Sequence, residues 1–329
     1  MQVLILTEEE IRRVVGVDEE ALAAVAGAFT ALAEGRATMP PIMRVDVPEH
    51  SGEVDVKSAY LQGLEGFAVK ISSGFFDNRA LGLPSLSGMM VLLSTHTGFP
   101  LALLLDNGYL TDVRTAMAGA LAARHLAPPD VGTVGIVGSG AQARYQARAL
   151  QLVRDYDRLL VYSRTQAHAE QYADEMGAEL GIEVRAVSDP AVVVRESNLL
   201  VTTTPARQPV VRAKWLHPGL HITAMGSDAE EKQELEAEVL ARADLVVCDR
   251  KSQAFRLGEL HHALVAGAVS EDDAIVELGE VTSGRHPGRE DEAQITVCDL
   301  TGTGAQDTVI ALLAYHKAKD AGLGLGVDA

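Results

Sequence analysis

The spacing of apolar and polar residues changes along the chain. Near the amino end, Thr7-Glu8-Glu9-Glu10 resembles a capping box and residues 18–34 carry apolar side chains at helical spacing, so two helices are predicted. From residue 40 to 106, short apolar runs separated by Gly, Asn and Pro predict consecutive strands, which favours a largely antiparallel sheet. These predicted strands span residues 45–47, 54–60, 67–72, 88–93 and 100–105.

Strand and helix patterns alternate in the second half of the chain. An Ala-rich helix is predicted at residues 111–126, and a last helix at 304–319 could pack back on the first domain. We therefore predict an α/β fold in which a Rossmann domain, residues 128–303, is inserted into a discontinuous α+β domain of residues 1–127 and 304–329. The Gly-rich tail after Ala321 is predicted to fray. The predicted strands of the alternation span residues 133–137, 159–162, 183–187, 199–203, 220–224, 244–248 and 295–298.

A glycine-rich turn lies between the first predicted strand of this alternation and a helix. Gly138 allows a tight exit from the strand, and Gly140 lets the backbone approach a pyrophosphate. Ala143 replaces the third glycine of the G-x-G-x-x-G pattern and keeps the helix close to the sheet. The N–H groups and dipole of that helix favour a diphosphate, so this βαβ unit predicts a nicotinamide or flavin nucleotide site.

The end of the second strand bears on which nucleotide binds. An NAD site usually places Asp or Glu there for the ribose 2′-OH, whereas this chain has Ser163, Arg164 and Thr165. Hydroxyls and a guanidinium can hold a 2′-phosphate, so NADP is favoured over NAD. As an alternative, Ser163 and Thr165 cap the next helix and Arg164 is solvated.

Composition excludes several other classes of protein. The formal charge of −18, from 28 basic and 46 acidic residues, argues against nucleic-acid and anionic-membrane partners. Cys248 and Cys298 give neither a disulfide framework nor a metal-ligand spacing, and His261-His262 lacks a third ligand, so no metal is expected. With neither a signal-peptide pattern nor an apolar run of about 18 residues, we expect a soluble cytoplasmic protein.

Four cations stand out in the first predicted domain. Arg44, Lys57 and Lys70 lie on different predicted strands, and Arg114 lies in the first turn of the Ala-rich helix. Arg suits a bidentate grip on a carboxylate and Lys offers a movable point charge, so together they predict an anion site. Each of them taken alone is more often an ordinary edge or surface residue.

Polar residues follow two strands of the predicted Rossmann sheet, where ligands bind outside the carboxyl ends. Asp228, in the Met225-Gly226-Ser227-Asp228 segment, could act as a general acid/base or could cap a turn. Thr203 and Thr204 could donate hydroxyls to the nucleotide or could likewise act as caps.

Taken in order, these residues resemble the ornithine cyclodeaminase/mu-crystallin family over essentially the whole chain. The segments GEVDVKSAY, KISSGFFDN, GLPSLSGMM and LLLDNGYLTDVRTA are most similar to its ectoine-utilisation branch. The markers of the resemblance are Met39-Pro40-Pro41 with Arg44, Lys70, Asp112-Val113-Arg114-Thr115-Ala116, Gly138-x-Gly140-x-Gln142, Gly226-x-Asp228, Lys232-x-Glu234-Leu235, Gly258-Glu259 with His262, and Asp299-x-Thr301-Gly302.

The resemblance implies NAD(P)-dependent chemistry at an amino-acid carbon–nitrogen bond, in a homodimer whose first domain supplies the substrate site and the subunit contact. It implies that Arg44, Lys70 and Arg114 hold the substrate carboxylate and that Asp228 is the acid/base group. The residues that it places against the cofactor are Ser85, Thr115, Ala141, Gln142, Ser163, Thr203, Met225, Lys232 and Thr301.

One departure from the family pattern narrows the choice of substrate. Members that cyclise ornithine carry an acid followed closely by Met-Pro, where this chain has Val56-Lys57-Ser58-Ala59. A cation there suits a second carboxylate, and members that reduce iminosuccinate look similar around this lysine. The leading hypothesis is therefore an NAD(P)H-dependent reductase of a small dicarboxylic imine. The alternatives are an ornithine cyclodeaminase that recycles NAD, and an NADPH-binding protein without turnover like mu-crystallin.

Overall fold

The computed structural model describes residues 2–328, apart from the side chain of residue 79, and the chain divides into two units. The first unit comprises the chain up to Arg114 together with the residues from Thr303 onward, and the second is Thr115–Gly302. The division falls inside the helix Tyr109–Leu126, whereas the sequence placed the boundary at residue 127. Among the described residues, no helix has the length and apolar character needed to cross a bilayer.

Helices and strands are numbered separately in chain order. The helices are α1 (Glu8–Arg12), α2 (Glu19–Ala33), α3 (Tyr109–Leu126), α4 (Ala141–Leu150), α5 (Gln166–Leu180), α6 (Pro190–Glu196), α7 (Ala237–Ala241), α8 (Lys251–Leu257), α9 (Glu259–Val265), α10 (Leu278–Thr282) and α11 (Gly304–Asp320). The strands are β1 (Gln2–Thr7), β2 (Ala37–Thr38), β3 (Met43–Val47), β4 (Gly52–Ser58), β5 (Tyr60–Leu61), β6 (Gly66–Phe75), β7 (Leu86–Ser94), β8 (Pro100–Leu105), β9 (Gly132–Val137), β10 (Tyr156–Tyr162), β11 (Glu183–Val187), β12 (Leu199–Thr202), β13 (Arg207–Val211), β14 (His221–Ala224), β15 (Gln233–Leu235), β16 (Leu245–Cys248), β17 (Val276–Glu277), β18 (Thr296–Asp299) and β19 (Leu325–Asp328).

The first unit contains a sheet in the order β19-β1-β8-β7-β6-β4-β3. Its neighbours are antiparallel as predicted, except that β1 and β8 are parallel. The capping box at Thr7 and the helix that begins after Asp18 are confirmed. The prediction of a frayed tail is wrong, because the tail forms β19, which pairs with β1. The sequence analysis did not predict β1 either. That pairing uses backbone groups, for which a Gly-rich sequence gives no signal.

Burial alternates along the central strands of this sheet, as expected for a sheet with one covered face. On β6, Ala68 and Lys70 are buried, whereas Val69 between them is half-buried. Helix α11 packs on this covered face, where the Thr308 hydroxyl donates to the Ala59 carbonyl and accepts the Ala68 N–H. A Cβ on Gly304 would lie 2.4 Å from the Ser58 carbonyl oxygen, so only glycine permits this approach of α11 to β4.

The second unit contains a parallel sheet in the order β11-β10-β9-β12-β14-β18-β16-β17, with helices in the connections. The strand order reverses between β9 and β12, which is the switch point of a doubly wound fold. All seven strands predicted from the βα alternation are present, with ends that differ by a few residues. The short strands β13, β15 and β17 were not predicted; β13 and β15 pair with each other outside the main sheet.

Candidate active site

Three of the four cations proposed from sequence meet on the covered face of the first sheet. Lys57 on β4 lies directly opposite Lys70 on β6, so both side chains leave the sheet on the same side. Lys57, Lys70 and Arg114 are 8%, 2% and 5% exposed, respectively. A buried cation requires a paired anion, and here the first turn of α11 supplies one.

That anion is Asp307, which the sequence analysis missed. Its carboxylate is fully buried, and the Lys70 Nζ lies 3.1 Å and 3.0 Å from its two oxygens. The Nε–H of Arg114 donates to the same carboxylate over 2.9 Å. A signal was present in the sequence, since Thr303 and Gln306 form a capping box and Asp307 is the next residue, ahead of an apolar run.

The charges in this cluster change the acidity of its members. Burial lowers the pKa of Lys70 to about 7, with the nearby charges of Arg114 and Lys57 acting in the same direction against the attraction of Asp307. Burial by itself would raise the pKa of Asp307, but the charges of Lys70, Arg114 and Lys57 outweigh burial and hold that pKa below its usual value. The cluster is therefore a buried region of net positive charge in which Lys70 can gain or lose a proton near neutral pH.

A second carboxylate, Asp106, faces Lys70 from the turn between β8 and α3. Its Oδ2 accepts the N–H of Leu110 over 2.8 Å, so it caps α3. Its Oδ1 is buried and accepts no hydrogen bond from the residues that the structure describes. Burial raises the pKa of Asp106 to about 6, although its bonds to backbone N–H groups and the charge of Lys70 act the other way.

Arg44, the fourth cation, lies on the same face of the sheet but is paired differently. It is opposite Asp55 in the register between β3 and β4, and Asp55 is two positions before Lys57. Its guanidinium forms ion pairs with Asp46 at 2.9 Å and Glu53 at 2.7 Å. A role for Arg44 in binding substrate stays a prediction.

In the second unit, the glycine turn has the geometry that a dinucleotide requires. Gly138 has a φ of +122°, which an L side chain rarely adopts, and a Cβ there would lie 2.3 Å from the Thr203 hydroxyl oxygen. A Cβ on Gly140, in contrast, would meet no atom within 4 Å. Gly140 caps α4 without a side-chain hydrogen bond, so the first N–H groups of α4, from Ala141 onward, face an open approach. These residues fit a pyrophosphate.

The residues after β10 adjoin this turn. The Ser163 and Ser139 hydroxyls are 2.9 Å apart, and Arg164 is exposed. Thr165 is the N-cap residue of α5, but its side chain makes no capping hydrogen bond. Capping therefore does not account for the Thr165 hydroxyl, and 2′-phosphate recognition by Ser163, Arg164 and Thr165 stays a prediction.

A buried carboxylate, Glu234, organises the two loops that carry the predicted polar residues. It accepts the N–H and the hydroxyl of Thr204, the hydroxyl of Thr202 and the N–H of Gly226. A Cβ on Gly226 would lie 2.1 Å from the Thr204 carbonyl oxygen, so glycine is required for the two loops to approach this closely. Glu234 was one of the markers of the family resemblance, but its role in holding these two loops together was not predicted from the sequence.

Asp228 follows Gly226 and is half-exposed. Its Oδ1 forms an ion pair with the Lys232 Nζ at 2.6 Å, and the Lys232 carbonyl lies 2.7 Å from the His262 Nε2. The pair brings together two residues to which the resemblance gives different roles, proton transfer and cofactor binding. His262 is thus engaged with the backbone of this loop.

The other proposed cofactor residues occupy different places. Asp249, which sequence reasoning missed, accepts the N–H groups of Thr301 and Gly302 at 2.8 Å and 2.7 Å and so fixes the loop after β18. Within the second unit, Met225 is nearly buried, Gln142 is half-buried on α4, and the Thr115 carbonyl accepts from the Gln146 side chain. In the first unit, the Ser85 hydroxyl oxygen is buried and has no hydrogen-bond partner among the described residues.

Sequence comparisons relate the whole chain to known proteins. The model of the ornithine cyclodeaminase/mu-crystallin family matches residues 1–322. An uncharacterized cyclodeaminase of Sinorhizobium fredii is 53% identical over 321 residues, which cover 97% of each chain. An iminosuccinate reductase of Paracoccus denitrificans is 30% identical over 329 residues, which cover 99% of each chain.

Solved structures share the fold over the same length. The Δ1-pyrroline-2-carboxylate reductase of Thermococcus litoralis, in complex with NADH and L-proline, matches with a TM-score of 0.93 and 32% identity over 99% of this chain and 100% of that one. An archaeal alanine dehydrogenase dimer with bound NAD matches with a TM-score of 0.92 and 34% identity over 100% of this chain and 99% of that one. The predicted α/β fold with its Rossmann unit is confirmed.

Proposed function

Because the chain belongs to the ornithine cyclodeaminase/mu-crystallin family, we propose that it reduces a small dicarboxylic imine, similar to iminosuccinate, to the amino acid. At the level of the family, the protein is an NAD(P)-dependent oxidoreductase that uses a nicotinamide cofactor.

One observation carries the choice of substrate: Lys57 lies opposite Lys70 on a covered sheet face that also receives Arg114. Asp307 offsets part of this positive charge, and the three cations together offer enough donors to bind a ligand with two carboxylates. Lys70 and Arg114 would bind the carboxylate beside the imine carbon, because a guanidinium and an ammonium carry several donors each. Lys57 would bind the second carboxylate. The iminosuccinate reductase of Paracoccus denitrificans acts on an imine of this class.

The reduction adds two electrons and two protons to the imine bond. When bound, the reduced nicotinamide supplies a hydride to the imine carbon. We assign to Asp228, directly or through water, the proton that the imine nitrogen takes up as the amine forms. The ion pair with Lys232 orients the Asp228 carboxylate. Glu234 holds the backbone of Gly226, close to Asp228 in the same loop.

We further propose that NADP is preferred over NAD. No carboxylate lies directly after β10, where one would repel a 2′-phosphate, and Ser163, Arg164 and Thr165 offer two hydroxyls and a guanidinium in its place. Arg164 is exposed, so it can reach a phosphate without first breaking a buried interaction.

An apolar surface supports a homodimer. Met43, Val56, Ile71 and Met89 form a row across β3, β4, β6 and β7, on the sheet face opposite the cation cluster. Met43 and Met89 are exposed, as is Val45 on the same strand as Met43. A second copy of the chain would cover this row, as fits a family in which an alanine dehydrogenase is a dimer. Light scattering should find a dimer that a Val45→Asp and Met89→Asp double variant converts to monomer, and a wild-type monomer would overturn the proposal.

Ornithine cyclodeamination is the second candidate. Asp55 lies next to Lys57 on the same sheet face and could bind the side-chain amine of a diamino acid. The Sinorhizobium fredii relative carries the name of a cyclodeaminase. The two reactions differ in cofactor consumption, because a cyclodeaminase re-reduces its intermediate and recycles NAD.

The decisive experiment follows NADH and NADPH oxidation with a panel of keto acids in the presence of ammonia or methylamine. We expect the highest kcat/KM with oxaloacetate and ammonia, which together form iminosuccinate. Greater activity with pyruvate would remove the dicarboxylate assignment. Release of ammonia from ornithine with catalytic NAD would replace it with the cyclodeaminase. Tight NADPH binding without turnover of any compound would identify a binding protein of the mu-crystallin kind.

A further inference from the structure

The cation cluster contains a buried carboxylate, Asp307, that contacts both Lys70 and Arg114. We infer that Asp307 is a positioning residue, which holds Lys70 and Arg114 in the orientation that binds the substrate carboxylate and favours the charged form of Lys70. This inference rests on the proposed function, since it assigns Asp307 a task in the same site.

Several interactions fix the position of Asp307. The capping box of Thr303 and Gln306 sets the first turn of α11, and the Gln306 side chain also donates to the Arg114 carbonyl over 3.3 Å. One residue after Asp307, Thr308 ties the helix to the Ala59 carbonyl and to a backbone N–H of β6. The carboxylate lies in the first turn of a long helix, where the helix dipole favours negative charge. Asp307 thus occupies a rigid position in the folded first unit.

The hydrogen bonds to Asp307 use some of the N–H donors of Lys70 and Arg114 and leave others for a substrate carboxylate. Asp307 accepts the Nε–H of Arg114, and a bidentate grip on an external carboxylate can use the terminal nitrogens of the guanidinium. Lys70 has three N–H donors on one nitrogen and lies within 3.1 Å of Asp307, so its approach direction is set by that contact. Without Asp307, both side chains would lose the partner that orients them.

The charges that act on Lys70 also indicate that Asp307 controls its protonation. Lys57 and Arg114 repel its proton, whereas Asp307 attracts it. Asp106, the other carboxyl that faces Lys70, is a weaker counter-charge than Asp307, because burial raises the pKa of Asp106 to about 6 whereas the pKa of Asp307 lies below its usual value. Removal of Asp307 would therefore leave buried cations without their main counter-charge. Lys70 would give up a proton, since arginine cannot.

A neutral Lys70 binds a carboxylate less well than a charged one. The wild-type kcat/KM for a carboxylate substrate should fall as the pH rises through the pKa of Lys70, near 7. In an Asp307→Asn variant the same fall should occur at lower pH, and KM at neutral pH should rise about 10- to 100-fold, the size of a lost charged hydrogen bond. A purely structural role would reduce the amount of active enzyme and leave KM and the pH profile unchanged.

The experiment compares Asp307→Asn and Asp307→Glu with Asp320→Asn, which makes the same chemical change at an exposed position of the same helix. Each protein is assayed for kcat and KM with oxaloacetate and ammonia across pH 6 to 9. We expect the shifted profile in Asp307→Asn, partial recovery in Asp307→Glu and wild-type behaviour in Asp320→Asn. An unshifted profile with a normal KM in Asp307→Asn would overturn the inference.

Succinate binding, measured by calorimetry across the same pH range, provides a readout that needs no turnover. If the wild type binds succinate more weakly as pH rises and Asp307→Asn shifts that dependence, the inference holds even if no imine is reduced and the proposed function fails. If imine reduction proceeds but Asp307→Asn leaves both dependences unchanged, the inference alone fails. Should Asp307→Asn not fold, the pH dependence of Asp307→Glu decides: a profile that is identical to the wild type, with KM also unchanged, would contradict positioning by this carboxylate.

Discussion

Lys70 and Asp307 are 237 positions apart in the chain and form a buried ion pair with Nζ–O distances of 3.1 Å and 3.0 Å. Lys70 follows the buried Ala68 on the same face of β6, and Met90, opposite Lys70 on β7, is also buried. A charged residue in such a place destabilises the fold unless it is paired, so the pair is retained for a reason other than packing. We propose that binding of an anionic substrate is that reason.

The charge of Lys57 should determine which substrate is preferred. In a Lys57→Met variant, KM for the dicarboxylic imine should rise by the equivalent of about 2 kcal/mol, the range of a hydrogen bond to a charged group. The imine formed from pyruvate should be nearly unaffected, because Lys70 and Arg114 still bind the carboxylate that both substrates share. Steady-state kinetics with both keto acids measure the ratio. A loss of similar size with both substrates would make Lys57 a structural residue.

The proton-transfer role of Asp228 can be separated from its ion pair with Lys232. Asp228→Asn keeps the shape of the side chain but cannot exchange a proton near neutral pH, so kcat should fall by about 10²-fold or more with little change in cofactor affinity. Lys232→Met breaks the same ion pair and leaves the carboxylate, so it should weaken cofactor binding more than it lowers kcat. Nearly normal turnover in Asp228→Asn would contradict the proton-transfer role and indicate that Asp228 only caps a turn.

The cofactor preference should depend on the residues after β10. Arg164→Ala should weaken binding of NADPH but not of NADH, because only NADPH carries the 2′-phosphate. Arg195→Ala removes an exposed arginine from α6 and serves as the matched control. Ser163→Asp should shift the preference towards NADH, by roughly 1–2 kcal/mol, through repulsion of the phosphate. Fluorescence titration of both cofactors measures these changes, and an NADPH affinity that Arg164→Ala leaves intact would contradict the assignment.

Asp299 should make the second unit less stable as pH rises. Burial raises its pKa from 3.8 to about 7, and the charges of Asp249 and Glu234 add to this effect. Over that interval the native state keeps a proton that the unfolded chain has released, so the free energy of unfolding falls with increasing pH. Asp299→Asn stays neutral and can still accept the Leu260 N–H. The fall should therefore be smaller, by at most about 1.4 kcal/mol per pH unit.

Urea unfolding of the wild type and Asp299→Asn at several pH values between about 4 and 7 tests this prediction. Asp174→Asn, an exposed position on α5, is the control for loss of one carboxylate. If the slope with pH is the same in all three proteins, Asp299 is ionised in the native state throughout this range and the prediction is wrong.

Local patterns of apolar, polar and glycine residues predicted most of the architecture. Gly138, Gly140 and Ala143 lie between a β-branched strand and a helix, and this order of elements has few other solutions. The structure places these residues at the switch point of the parallel sheet, next to Thr203. The tail was misjudged because β19 is stabilised by hydrogen bonds to β1, at the opposite end of the chain, and not by its own side chains.

The sequence by itself determined the order of the longer elements, the glycine turn and the residue types proposed to bind an anion, because these depend on neighbours a few positions away. Only the tertiary structure decided which charges meet. The register between β4 and β6 puts Lys57 opposite Lys70, and the packing of α11 brings Asp307 to both Lys70 and Arg114. The register between β3 and β4 leaves Arg44 with Asp46 and Glu53. Electrostatic interactions act through space over a few ångströms, so the pKa of Lys70 follows from the fold and not from its neighbours in sequence.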